Sequence, residues 1–238
     1  MLLTACAAIM APAEVRADTN APPHAILLPG LARSESAMRR MADALQGAGY
    51  RTTIVGYPST KKTVAELADA FLAPAVDAAV SNGASRIDFV AHSLGAIVVR
   101  QYLADRPLPV PGRAVLLGPP NQGSEVVDRL GQTAAFKAIN GPAGNQLGTD
   151  TNSVPRTLPE PSIPFGVIAG TRSINWINSS LIPGRDDGKV SVERTKLPGM
   201  ADFTTVRCSH PFLMKNPRVI DLTLQFLRTG RFGQATPP

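Results

Sequence analysis

A chain of 238 residues with 44% hydrophobic and 18% charged residues is long enough for one substantial core, which excludes a disordered or membrane-spanning polypeptide. The net charge of +6 suggests attraction to anionic surfaces, including peripheral membrane contact. Lys and Arg are nevertheless scattered, apart from pairs such as Arg39-Arg40 and Lys61-Lys62, and no aromatic-interleaved basic patch occurs, which argues against nucleic-acid binding.

Residues 1–17 read as an address. Leu2 to Ala13 is mostly apolar and too short to cross a bilayer, and Val15-Arg16-Ala17 suits cleavage after Ala17. The expectation is a periplasmic or secreted protein; the missing basic n-region keeps a cytoplasmic one as the alternative. Cleavage would remove Cys6 and leave Cys208 unpaired, so no disulfide framework is implied.

His24 to Leu28 reads as the first strand and runs into Pro29-Gly30-Leu31-Ala32. Ser34 is placed to cap a helix with Met38, Met41, Ala42 and Leu45 on one face, closing at Gly47 and Gly49. Tyr50 to Tyr57 is the next strand. Thr63 and Glu66 form a capping box for a second helix with the stripe Val64, Leu67, Ala68, Phe71, Leu72 and Ala75. Pro74 should kink that helix and Asn82-Gly83 should end it.

Ile87 to Ala91 is a short apolar strand, and Leu94 to Tyr102 reads as a helix buried on several sides, with His92-Ser93 between them. Strand, abrupt turn and helix, with Ala91 and Gly95 two positions either side of Ser93, is the context of a nucleophile elbow. Arg113 to Leu117 is a fourth strand. The stretch from 119 to about 161 has one amphipathic piece, Glu125 to Ile139, using Val126, Val127, Leu130 and Phe136, and reads as a small cap over a site. Phe165 to Ala169 resumes the strand pattern, Thr171 to Gly188 is irregular and holds Trp176, and Phe203 to Arg207 is the last strand. A final helix runs from the Asn216 cap and Pro217 to Arg228, ending at Gly230. Strands alternating with helices imply one α/β domain from residue 18 onward, a mainly parallel sheet of about six strands covered on both faces.

A Ser hydroxyl attacks only when a base removes its proton. Of the three histidines, His92 should be directed away from Ser93 by the turn, His24 opens a strand, and His210 follows the last strand at the edge where ligands bind in open parallel sheets. His210 is therefore the expected base. Its acid partner is expected in Gly184-Arg185-Asp186-Asp187-Gly188, as Asp187 with Asp186 the alternative, although Asp beside Gly is more commonly a solvated turn residue. An acyl-transfer site must also hold the oxyanion, for which the backbone N–H groups of Leu94 and Leu31 are candidates. No metal-ligand cluster or phosphate-cradling glycine motif occurs, so neither metal nor cofactor is expected.

The order Ser93, Asp187, His210, the Pro29-Gly30-Leu31 loop, the Asp187 to Val192 string Asp-Gly-x-Val-x-Val, and Pro119-Asn121-Gly123-Ser124 resemble the α/β-hydrolase superfamily, in particular bacterial lipases and esterases. The resemblance covers His24 to Gly230 and implies an α/β-hydrolase fold and ester hydrolysis through an acyl-enzyme on Ser93. A modest cap with few aromatics favours short to medium acyl chains on a small-molecule or lipid ester. Two other readings remain: an acyltransferase or phospholipase with the same triad, and a non-catalytic homologue that binds lipid or protein.

Overall fold

The structure, a computed structural model, describes residues 21–131, 133–174 and 176–233. The leader reading of residues 1–17 lies outside the described residues, as does the side chain of Phe136.

Six strands form one sheet: β1 (His24–Leu28), β2 (Arg51–Ile54), β3 (Ile87–His92), β4 (Ala114–Leu117), β5 (Phe165–Gly170) and β6 (Asp202–Val206). Their spatial order is β2-β1-β3-β4-β5-β6, and every neighbouring pair is parallel. The central strands β1, β3, β4 and β5 are buried along their whole length. Their continuous apolar runs are what a sheet covered on both faces requires.

Alternation along the strands divides the core in two. Ile26, Leu28, Phe89 and Ala91 face α2 (Val64–Leu67), α3 (Ala73–Ser81) and α4 (Leu94–Asp105), where Leu67, Val76 and Ile97 pack. Ala25, Leu27, Val90 and Val115 face the other side, packing with Met41 and Leu45, and with Leu222 and Phe226. Helices α1 (Arg39–Gly47) and α10 (Pro217–Thr229) carry these side chains. After β1 the chain thus leaves for one face and after β3 for the other, although the two strands are neighbours. A crevice opens at their C-terminal ends, where open α/β sheets hold their ligands.

Several elements match their sequence signals in detail. Thr63 Oγ1 accepts from Glu66 N at 3.3 Å while Glu66 Oε2 accepts from Thr63 N at 2.8 Å, a complete capping box. Asn216 Oδ1 accepts from Arg218 N at 2.9 Å, and Gly230, with φ of 81°, closes α10 in the left-handed region. Pro74 enters at the start of α3, and the turn before it, Ala68–Leu72, widens to a π-helix instead of kinking, because Pro has no N–H to complete the regular ladder.

Other elements differ. β2 is four residues long rather than spanning Tyr50 to Tyr57: after Val55 N bonds Leu27 O, its neighbour β1 ends at Leu28. Ser34 precedes a 3-10 turn, Glu35–Ala37, and its hydroxyl pairs with Ser36 Oγ instead of capping; α1 begins at Arg39. The amphipathic piece expected from Glu125 to Ile139 is two helices, α5 (Glu125–Leu130) and α6 (Ala134–Asn145), separated at Gly131. α6 is itself broken at Gly141, which takes a φ of 64° where any Cβ would strike the Thr60 carbonyl. The short helices α7 (Val154–Thr157), α8 (Trp176–Leu181) and α9 (Val192–Thr195) complete the loops, α8 lying in the excursion expected to be irregular. Among the described residues, no helix is long and apolar enough to cross a membrane.

Candidate active site

Ser93 stands at the end of β3 with φ of 53° and ψ of −120°, a left-handed conformation that a non-glycine residue holds only at a cost of about 1–3 kcal/mol. The surrounding backbone enforces it: Ser93 N donates to Leu117 O at 2.9 Å, and Ala96 N then closes the first helical turn on Ser93 O at 3.0 Å. The sharp turn presses α4 against the end of β1. A Cβ on Gly95 would lie 2.7 Å from Pro29 O and 2.8 Å from Leu28 Cβ, so only glycine fits. The Ser93 side chain makes no cap bond to its own helix. Its hydroxyl is instead 2.9 Å from His210 Nε2.

His210 opens the 3-10 turn His210–Lys215 that follows β6. Its Nδ1 is 2.7 Å from Asp187 Oδ2, and its backbone N donates to Asp187 O at 2.9 Å. A carboxylate only accepts, so Nδ1 carries the proton and Nε2 presents its lone pair to the Ser93 hydroxyl. Asp187 is 1% exposed, and its other oxygen accepts from Lys189 N and Val190 N, each at 3.0 Å. Asp186 is engaged elsewhere, accepting from Ser179 Oγ and Gly188 N at 2.7 Å each and bridging to Ser191. The two adjacent aspartates therefore part company: Asp187 meets His210 and Asp186 ties the loop together.

The loop after β1 is braced from two sides. Tyr57 Oη donates to Pro29 O, and Ala32 N donates to Ser59 Oγ at 2.9 Å. Arg33 N bonds Gly30 O at 3.2 Å, so the Leu31 N–H enters neither of the loop's amide bonds. Leu94 N–H is the first amide of α4, a donor that a helix leaves without an internal partner. Both leucines border the site, Leu31 as part of the cavity wall and Leu94 as the residue after Ser93.

His92 corrects the sequence reading. It is not directed away from the site: it lines the cavity, and its ring lies 4.7 Å, centroid to centroid, from that of His210. Its Nε2 donates to the His210 carbonyl at 3.0 Å, while Nδ1, which has no partner among the described residues, faces the Gly30 backbone. Alternation along β3 is the reason, since Asp88, Val90 and His92 point to the face on which residues 210–215 pack. Burial, and secondarily the charge of His210, holds the His92 imidazole well below its ordinary range, so it stays neutral.

Two glycines unremarked in the sequence also shape the site. A Cβ on Gly118, whose φ is 53°, would lie 3.0 Å from Asp187 Oδ2 and 3.2 Å from His210 Nδ1. One on Gly170 would lie 2.7 Å from Asp187 Cβ. Behind them Arg100, 1% exposed, donates to Asn121 O at 3.1 Å and Leu158 O at 2.7 Å, fastening α4 to both ends of the segment between β4 and β5. Burial lowers its guanidinium to about 10, which leaves it charged at neutral pH. A lone Arg in an apolar helical run was the one available signal for this brace.

The cavity over Ser93 measures about 260 Å³. Leu31, Val126, Val127, Leu147 and Val190 give it an apolar wall, to which α5, α6 and the residues after α6 contribute.

The chain has the α/β-hydrolase fold. The mature form of Bacillus licheniformis lipase BlEst2 superposes with a TM-score of 0.72 at 20% identity, covering 87% of this chain and 93% of that one. A metagenomic carboxyl esterase, MGS0156, gives a TM-score of 0.62 at 18% identity over 81% of this chain and 65% of its own. Carboxylesterase CesB from Bacillus subtilis gives 0.52 at 16% identity, over 89% and 85%. No protein-family model and no curated protein sequence matches the chain.

Proposed function

We propose that the protein is a serine carboxylic-ester hydrolase. The observation that carries the reading is the unbroken relay from Ser93 Oγ to His210 Nε2 and from His210 Nδ1 to Asp187, 2.9 and 2.7 Å long, opening on an apolar-walled cavity. Ser93 Oγ attacks the acyl carbonyl as its proton passes to His210 Nε2, and Asp187 stabilises the imidazolium so formed. The N–H groups of Leu31 and Leu94 receive the negative oxygen of the tetrahedral intermediate. Collapse expels the alcohol, which takes the proton from His210. Water, deprotonated by His210, then attacks the acyl-enzyme, and a second collapse releases the carboxylic acid and restores Ser93. Esterases and lipases among the structural neighbours support the same class.

In this reading residues 119–161 act as the cap, α5 and α6 closing over the acyl group, and the small cavity favours short or medium chains. A fluorophosphonate probe should label the wild type at Ser93 and leave Ser93→Ala unlabelled. Rates on p-nitrophenyl esters from acetate to palmitate should peak below the long chains; a maximum at palmitate removes the chain-length part of the proposal, and absent labelling removes the nucleophile.

A further inference from the structure

The cavity above Ser93 carries charge of one sign. Arg33, two residues beyond Leu31, and Lys189, two beyond Asp187, both stand on its wall, and among the described residues no Asp or Glu does. Among the described residues, neither side chain has an ion-paired or hydrogen-bonded partner. Asp187 forms no ion pair with either: its oxygens are bonded to His210 Nδ1 and to the backbone N–H groups of Lys189 and Val190. The two cations also feel each other: desolvation first and the charge of Arg33 second hold the Lys189 ammonium below its ordinary range, with the charge of Asp187 opposing them in part. Both side chains are exposed where they border the cavity, and an anion placed between two like charges removes their mutual repulsion. Arg supplies a planar fork suited to carboxylate or phosphate, and Lys a point charge.

Resting on the ester-hydrolase reading, we infer that the ester taken by this site carries a negatively charged group, a carboxylate or a phosphate, which Arg33 and Lys189 hold while the acyl carbonyl lies at Ser93. The pair then determines specificity among esters, and the net charge of +6 favours the approach of such a substrate.

Matched pairs of esters test this on the whole chain: p-nitrophenyl hemiglutarate against p-nitrophenyl valerate for an anion on the acyl side, and O-butyryl glycolate against ethyl butyrate for one on the alcohol side. A p-nitrophenyl 4-phosphonobutyrate arm separates phosphate-like from carboxylate preference. In at least one arm the anionic ester should show a kcat/KM about tenfold above its neutral counterpart, the effect of one charge-assisted contact. Arg33→Met and Lys189→Met should each reduce that ratio several-fold, Arg33→Lys and Lys189→Arg should retain most of it, and added salt should shrink it. Calorimetry with methyl hemiglutarate, and with methyl 4-phosphonobutyrate, on Ser93→Ala reads the same site without turnover. Binding there that is lost on adding Lys189→Met supports the anion site even if no ester is hydrolysed, in which case the hydrolase reading alone fails. Neutral esters preferred in every arm, with no binding to Ser93→Ala, overturn the anion site and leave the hydrolase reading standing.

Discussion

Gly118→Ala separates the geometry of the relay from the stability of the fold. The new Cβ would stand 3.0 Å from Asp187 Oδ2 and 2.8 Å from Leu213 Cδ1, and ordinary contact begins at 3.4 Å, so something must yield by at least 0.4 Å (3.4 minus 3.0) on the carboxylate side. The Leu213 contact is with a terminal methyl, held by packing alone, whereas the carboxylate is held by hydrogen bonds. Asp187 is pinned by Lys189 N, Val190 N and His210 Nδ1, and Gly170 stands against its Cβ. Displacement therefore falls on the 2.7 Å bond to His210. Since misplacement by about 1 Å costs on the order of a hundredfold in rate, a shift of this size should lower kcat/KM about tenfold or more. Alanine at a φ of 53° adds backbone strain of about 1–2 kcal/mol, lost from stability rather than rate. Gly83→Ala is the matched control: its φ is 73°, but nothing lies within 4 Å of its Cβ position. Gly118→Ala should lose at least as much stability as Gly83→Ala in urea titrations, and only Gly118→Ala should lose turnover of p-nitrophenyl butyrate. A folded Gly118→Ala with wild-type kcat/KM would refute the claim that Asp187 has no room to move.

Asp187→Asn should lower kcat by about 10⁴-fold, because an amide donating to Nδ1 imposes the wrong tautomer on His210, whereas Asp186→Asn should keep activity within about tenfold and lose stability instead; equal losses in the two would dissolve the distinction between them. His92→Phe preserves a ring beside His210 but removes the donor to its carbonyl, and kcat should fall several-fold with KM little changed, as steady-state kinetics on p-nitrophenyl butyrate would reveal. His92 and His24 are both held below the ordinary histidine range, mainly by burial, so below about pH 6.5 the unfolded chain binds protons that the native one refuses. Stability should therefore be flat above that pH and decline below it, with His92 contributing up to about 1.4 kcal/mol per pH unit; urea midpoints from pH 7.5 to 5 should fall, and fall less steeply in His92→Phe.

The elements whose signals are local were legible. The Thr63 and Glu66 box, the Asn216 cap and the Gly230 stop each depend on residues within one or two turns, and each stands where the sequence puts it. The elbow was legible for the same reason, as Ala91, Ser93 and Gly95 meet a steric demand inside five residues. What escaped was decided at a distance. The break in α6 follows from the Gly141 backbone lying on Thr60, with Ala143 N donating to Lys62 O at 3.0 Å, contacts about 80 residues apart along the chain. Arg100 could be recognised as an anomaly in an apolar helix, yet its partners Asn121, Leu158 and Pro159 come from other segments. His92 escapes the turn argument because it is still inside the strand, where the period of two assigns it to the face shared by Val90, Val115 and Leu117.

The deeper limit lies in strand adjacency. β1 and β3 are separated by a whole strand-and-helix unit, and periodicity alone does not make them neighbours. Once paired in parallel, with Leu28 opposite Ala91, their ends must share one volume: Pro29 emerges beside His92, and the loop after β1 crosses the elbow after β3. That crossing explains two glycines at once, because a Cβ on Gly30 would be 2.7 Å from His92 Nδ1 and 3.2 Å from Ser93 Cβ, and one on Gly95 would meet the Pro29 carbonyl. Each glycine leaves room for the other strand's exit. The same contact sets the Leu31 loop and the start of the Leu94 helix beside one cavity, where the proposed chemistry would draw on their two amides.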